Sequence, residues 1–252
     1  SFGQRYWGCA VTEMKPVVEV CVEDAADAAL VTKLGGDRVE LCRELWCGGL
    51  TPTDEQVRTA IRFGPPLGVR ILVRDREEGF ALTGAEVDSL AHDIRRLRAL
   101  TAHSPVPVGF VVGAITAEEG GQVDLEAAVR FREAAGDAAL VFHRAFDQVE
   151  DQLGALEDLV TAGFDGVLTT GGGQAACPTS LRGLVGASAG RISVIASGGI
   201  RDHNVAQVLQ ETGATEVHMR APRDPQACCG EGTRTDPDLL GRIVAAAKTG
   251  CA

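Results

Sequence analysis

From Val17 onward the chain alternates short β-branched runs with longer stretches of helical period, the pattern of strands feeding a parallel sheet. The runs VVEVCV (17–22), RVELC (38–42), VRILVR (69–74), PVGFVVGAI (107–115), AALVFHRAF (138–146), GVLTT (166–170), ISVIASGG (192–199) and EVHMRA (216–221) read as strands. The segments 24–34, 53–63, 84–100, 124–135, 150–161, 179–188, 202–211 and 236–248 read as helices. Eight such units in 252 residues predict the α/β class and, within it, a single (β/α)8 TIM barrel. Local punctuation agrees with this count. Thr51 with Pro52, and Asp236 with Pro237, are N-cap and first-turn pairs. Glycines in LGGDRVEL, TAGFDGVL and ETGATEVH lead helices into the next strand.

The barrel is assigned to 14–252. Residues 1–13 are expected to be an extension outside the fold, with Met14 as a natural start. No apolar run is long enough to span a bilayer and the first residues lack a signal-peptide core, so a cytoplasmic protein with no membrane contact is expected. A net charge of -11 argues against nucleic acid and anionic membranes as partners, leaving small molecules, metal ions and proteins.

In a barrel of this kind, chemistry gathers at the C-terminal ends of the strands, so polar residues there are the candidates. Glu19 and Cys21 share one face of the first strand, and Glu40 and Cys42 share one face of the second. The third strand adds Arg74, the fifth His143 and Arg144, the sixth Thr169 and Thr170, the seventh Ser197, and the eighth Glu216, His218 and Arg220. Carboxylates, histidines and arginines converging on one mouth form a costly buried network, and a ligand is the default explanation. The loops TTGGG (169–173) and SGGI (197–200) present Gly171, Gly172, Gly198 and Gly199, whose backbone N–H groups suit an anion. Lysines occur only at 15, 33 and 248, away from the strand ends, which disfavours Schiff-base chemistry.

Eight cysteines without a C-x-x-C spacing form neither a disulfide scaffold nor a structural zinc site, although Cys228 and Cys229 are adjacent. Cys21 and Cys42 lie on neighbouring strands and are expected to face one space. Two reduced thiols there suit a soft ion, above all Cu(I), with Cys47 as a conceivable third.

The blocks GGDRVELC followed by GGLTPT, VFHRAFD (141–147), GFDGVLTTG (163–171), SGGI and GATEVH (213–218) together resemble the CutC copper-homeostasis family from about Val17 to Ala221. The resemblance implies a cytoplasmic (β/α)8 barrel, often a homo-oligomer, with Cys21 and Cys42 as Cu(I) ligands. It also implies a shared pocket of Glu19, Glu40, Arg74, His143, Arg144, Asp147 and His218. Where the family usually reads like RPRGGDF, this chain reads RDREEGF (74–80).

Two functions from different classes follow. One is a copper-binding protein that holds Cu(I) on Cys21 and Cys42. The other is a barrel enzyme acting on a small phosphorylated or carboxylated metabolite. There Glu19 or Glu40 would be the base, His143 or His218 the proton donor, Arg74 and Arg144 the anion clamps, Asp147 part of the catalytic cluster, and the glycine loops the phosphate seat.

Overall fold

The computed structural model describes residues 15–227 and 233–249; the extension expected over 1–13, Met14 and the adjacent cysteines 228 and 229 lie outside the described residues. Eight parallel strands close into a barrel: β1 (Val17–Val22), β2 (Arg38–Leu41), β3 (Val69–Leu72), β4 (Val108–Val112), β5 (Ala139–Phe142), β6 (Gly166–Thr169), β7 (Ser193–Ala196) and β8 (Glu216–Met219). Each strand pairs with the next, and β8 pairs with β1. The helices α1 (Asp27–Lys33), α2 (Asp54–Phe63), α3 (Gly84–Leu100), α4 (Leu125–Ala135), α5 (Gln152–Thr161), α6 (Pro178–Ser188), α7 (Val205–Thr212) and α8 (Pro237–Thr249) follow the strands in turn. No helix among the described residues is long and apolar enough to cross a membrane.

Several strands stop short of their expected ends, because the chain turns where the site begins. The run 138–146 leaves the ladder after Phe142 and enters a 3-10 turn, Arg144–Gln148, which His143 caps by accepting a hydrogen bond from the Ala145 N–H through Nδ1. The run 192–199 ends at Ala196, since Gly198 and Gly199 take φ angles of 94° and 66°, which do not continue a strand. The cap of α2 is Thr53, not Thr51. Thr53 Oγ1 accepts from the Gln56 N–H while the Gln56 side chain accepts from the Thr53 N–H, a reciprocal capping box. Thr51 Oγ1 instead bonds both the N–H and the carbonyl of Arg74, tying the β2 loop to the end of β3. Asp236 caps α8 as expected, accepting from the Asp238 and Leu239 N–H groups. Thr53→Ala is expected to cost about 1 kcal/mol of stability, read from the midpoint of urea unfolding.

Alternation along the strands sorts the side chains into two regions. Val18, Val20, Val22, Val39, Leu41 and Ile71 point outward into the main core beneath the helices, where each fully buried aliphatic side chain contributes roughly 1.5–3 kcal/mol. Inside the barrel, Cys21, Cys42, Leu72, Val111, Val141, Leu168 and Ile195 form a second, smaller apolar cluster. Its amino-terminal side carries a buried ionic network made by Glu19, Arg38, Arg70, Ser193 and Glu216, and its carboxyl-terminal side opens into the cavity. The cysteines therefore sit at the boundary between a closed interior and an accessible one.

Candidate functional site

Glu19, inward on β1, is the centre of the ionic network. Its Oε2 accepts from Arg38 Nε and from Arg70 Nη1 (3.0 Å), and its Oε1 lies 2.8 Å from Nδ1 of His218. Burial alone would raise its pKa, but Arg70, Arg38 and His218 together hold it well below the usual carboxylate range. Glu216 joins the same network through Arg38 and through Ser193 Oγ, which donates to it at 2.6 Å. Glu19 and Glu216 thus lie below the mouth and are absent from its lining, whereas the sequence pattern placed both at the strand ends. Arg38 and Arg70 are inward residues that sequence reasoning missed. The signal was there: Arg38 stands two positions before Glu40 on one strand, and so shares its face.

One layer up, Cys21 Sγ lies 3.7 Å from Cys42 Sγ. Both thiols are free and buried. The register pairs Cys21 with Glu40, and Cys42 lies one inward position beyond Glu40, just past the end of β2, so the stagger of the barrel brings the thiols together. The contact with Cys42, reinforced by burial, pushes the Cys21 thiol well above its usual range. Cys21, Glu40 and His218 offer ligand atoms that all lie within 4.8 Å of one another. Burial would make His218 less basic, but Glu40, Cys21 and Glu19 outweigh it and raise its pKa well above 6.5. Because Nδ1 is engaged by Glu19, Nε2 is the nitrogen left for the cavity side, the arrangement in which a carboxylate fixes a ligating histidine. Burial raises the Glu40 pKa, opposite in direction to Glu19. Glu40 Oε2 has no hydrogen-bond partner.

Above this floor opens a cavity of about 590 Å³. Cys21, Glu40 and His218 form its base with Leu72 and Leu168, while Arg74, Phe80, His143 and Ser197 line its walls. Arg144, Asp147, Gly198, Gly199, Arg201 and Arg220 surround the opening. Burial, aided by the Arg74 charge, lowers the His143 pKa to about 3. With Nδ1 accepting from the Ala145 N–H, neutral His143 carries its proton on Nε2. Neutral His143 therefore presents Nε2–H as a hydrogen-bond donor. Arg74 spends Nη1 on the carbonyls of Cys47 (3.0 Å) and Gly49 (3.1 Å) and Nη2 on that of Glu77, leaving only Nε without a partner.

The two glycine loops differ. After β6, the cradle is filled from within: Asp147 Oδ1 accepts from Thr169 Oγ1, from the Thr170 N–H (2.9 Å) and from the Gly172 N–H (3.3 Å). The Gly171 N–H goes to Thr169 Oγ1. Asp147 Oδ2 takes Arg144 Nε at 3.1 Å, so this carboxylate and Arg144 staple the loop after β5 to the loop after β6. Gly171 and Gly172 are thus bound up in that staple, away from the cavity lining. After β7, by contrast, Gly198 and Gly199 line the cavity, and among the described residues their N–H groups have no hydrogen-bond partner. Cys47 also lines the cavity, with its thiol donating to the Glu44 carbonyl at 3.0 Å.

Fold and site together define a closed (β/α)8 barrel whose carboxyl-terminal mouth opens into a cavity floored by a buried thiol, imidazole and carboxyl group. The CutC family model matches residues 16–222. A Homo sapiens protein named copper homeostasis protein cutC homolog is 35% identical over 207 residues, covering 81% of this chain and 73% of that protein. The family protein CutC of Parabacteroides distasonis is 33% identical over 210 residues, covering 82% and 84%. The solved CutC structure from Streptococcus agalactiae superposes with a TM-score of 0.72 at 29% identity, covering 81% of this chain and 97% of that one. The chain belongs to the CutC family, as its sequence blocks implied.

Proposed function

We propose that the chain binds Cu(I) as cargo through Cys21 and Cys42, in a reducing compartment such as the cytoplasm. The observation that carries this reading is the pair of free, buried thiols 3.7 Å apart, of which Cys21 lines the floor of an accessible cavity and Cys42 lies behind it. That separation is far beyond the roughly 2.05 Å of a disulfide, and a soft, low-coordinate ion matches the donors. His218, oriented by Glu19, supports the reading as a third donor that binds once its own proton is displaced. The names of curated relatives, which link those proteins to copper homeostasis, point the same way.

The test is an anaerobic titration of Cu(I) against a competing chelator, comparing the native chain with a Cys21→Ser/Cys42→Ser variant. One equivalent bound by the native chain and lost in the variant supports the reading; equal binding by both removes it. The raised Cys21 pKa adds an expectation. Its thiol is protonated through neutral pH, so copper must displace that proton. Apparent affinity, corrected for the chelator, is expected to rise by at least about tenfold per pH unit between about pH 6 and 8.

A further inference from the structure

Copper ligation leaves most of the cavity unexplained. Around one space, three side-chain atoms are buried without a partner: Glu40 Oε2, Ser197 Oγ and Arg74 Nε, on residues exposed by 6%, 1% and 8%. All three residues line the cavity. A buried polar group left unsatisfied costs about 1–3 kcal/mol, so three converging on a single opening mark places that a ligand's polar atoms would complete.

The type of each group narrows the ligand. Ser197 Oγ and Arg74 Nε can both donate; Ser197 directly precedes Gly198 and Gly199 with their open N–H groups, while Arg74 lines the same cavity from the β3 side. Neutral His143, held by the Ala145 N–H on its other nitrogen, directs Nε2–H as a further donor. Arg220 lines the opening and has no ion-pair partner among the described residues. Opposite these donors, Glu40 Oε2 at the base is a carboxyl oxygen without a partner. Successive backbone N–H groups after the seventh strand, flanked by an arginine and a serine, match the oxygens of a phosphate. The unpartnered Glu40 carboxyl oxygen deeper in the cavity matches a ligand hydroxyl, which can both donate and accept. A volume of about 590 Å³ accommodates a compound of a few carbons.

We propose that the mouth of the barrel binds a small phosphate monoester bearing a hydroxyl group. Its phosphate lies on the Gly198 and Gly199 N–H groups with Ser197 and Arg220, and its hydroxyl reaches Glu40. Asp147 takes no direct part, because both its carboxylate oxygens are engaged in the staple between the loops. The site lies above the thiols rather than on them, so its occupancy does not require copper.

Isothermal titration of the metal-free, reduced chain with sn-glycerol 3-phosphate tests this, with inorganic phosphate, glycerol and glycerate as comparison probes. The expected result is a dissociation constant below about 1 mM for glycerol 3-phosphate, with inorganic phosphate at least about tenfold weaker and glycerol silent. Ser197→Ala and Arg220→Gln are each expected to weaken binding by about five- to tenfold. Arg220 is a partly exposed residue at the rim, so its variant keeps the test informative should Ser197→Ala disturb folding. No heat from glycerol 3-phosphate at about 10 mM overturns the proposal, as does binding that neither substitution changes. Glycerate binding as tightly as glycerol 3-phosphate overturns the assignment of phosphate and makes the site a carboxylate site.

Discussion

Replacing Glu19 with alanine is expected to lower the free energy of unfolding by about 3–5 kcal/mol, the range for breaking a buried ion pair from one side. Glu19 accepts from Arg38 and Arg70 and meets His218, so its loss takes the shared central carboxylate from three groups inside the barrel. Glu216 still reaches Arg38, and at 3.8 Å Arg70, but it does not reach His218. Glu19→Gln preserves the shape yet removes the charge, and should also be strongly destabilising. Urea unfolding measures both; a loss below about 1 kcal/mol would show that the network contributes no more than a surface pair.

The same network sets a pH window. The folded pKa of Glu19 is depressed, so its contribution is fully present above the unfolded value of 4.5 and is lost as pH falls from there through the lower folded value. His218 is raised, so its contribution is full below 6.5 and is lost as pH rises through its higher folded pKa. The contribution of Glu19 and His218 should therefore be fullest from about pH 5 to 6.5 and decline on both sides. In Glu19→Ala the acid-side decline should flatten.

The second large effect concerns Cys42, which is fully buried and does not line the cavity, unlike Cys21 and Cys47. Cys42→Ser is expected to reduce Cu(I) affinity by more than about a hundredfold, exceeding the 10–100-fold typical of outer-shell changes. Cys47→Ser is expected to leave affinity within about threefold, because that thiol donates to the Glu44 carbonyl and has no contact with the pair. Competitive titration of the two single variants separates these outcomes. A larger loss at Cys47 than at Cys42 would place copper at the rim.

The barrel was legible because each strand is a short β-branched run and each helix is amphipathic. The inward pairing of Glu19 with Cys21 and of Glu40 with Cys42 followed from a period of two. Depth along the barrel axis was not legible, because it depends on the stagger between strands. Glu19 and Cys21 share a face, yet one lies in a closed ionic layer and the other at the floor of a cavity. Arg38 and Arg70 escaped notice at or near strand starts, where a charge resembles a solvated turn residue. The two glycine loops looked equivalent, and only the tertiary fold shows that Asp147, from the loop after β5, already occupies the first of them. The neutral state of His143 was not legible either, because its burial and the Arg74 charge are properties of the packed wall rather than of the local sequence.

The most direct measurement of the central claim is copper K-edge X-ray absorption on the reduced chain loaded with one equivalent of Cu(I), alongside Cys42→Ser prepared identically. The thiol site predicts a monovalent edge with two sulfur scatterers in the native chain and loss of one sulfur in the variant. A first shell of nitrogen and oxygen alone, unchanged by Cys42→Ser, would contradict it and leave the thiols as packing residues of the inner apolar cluster.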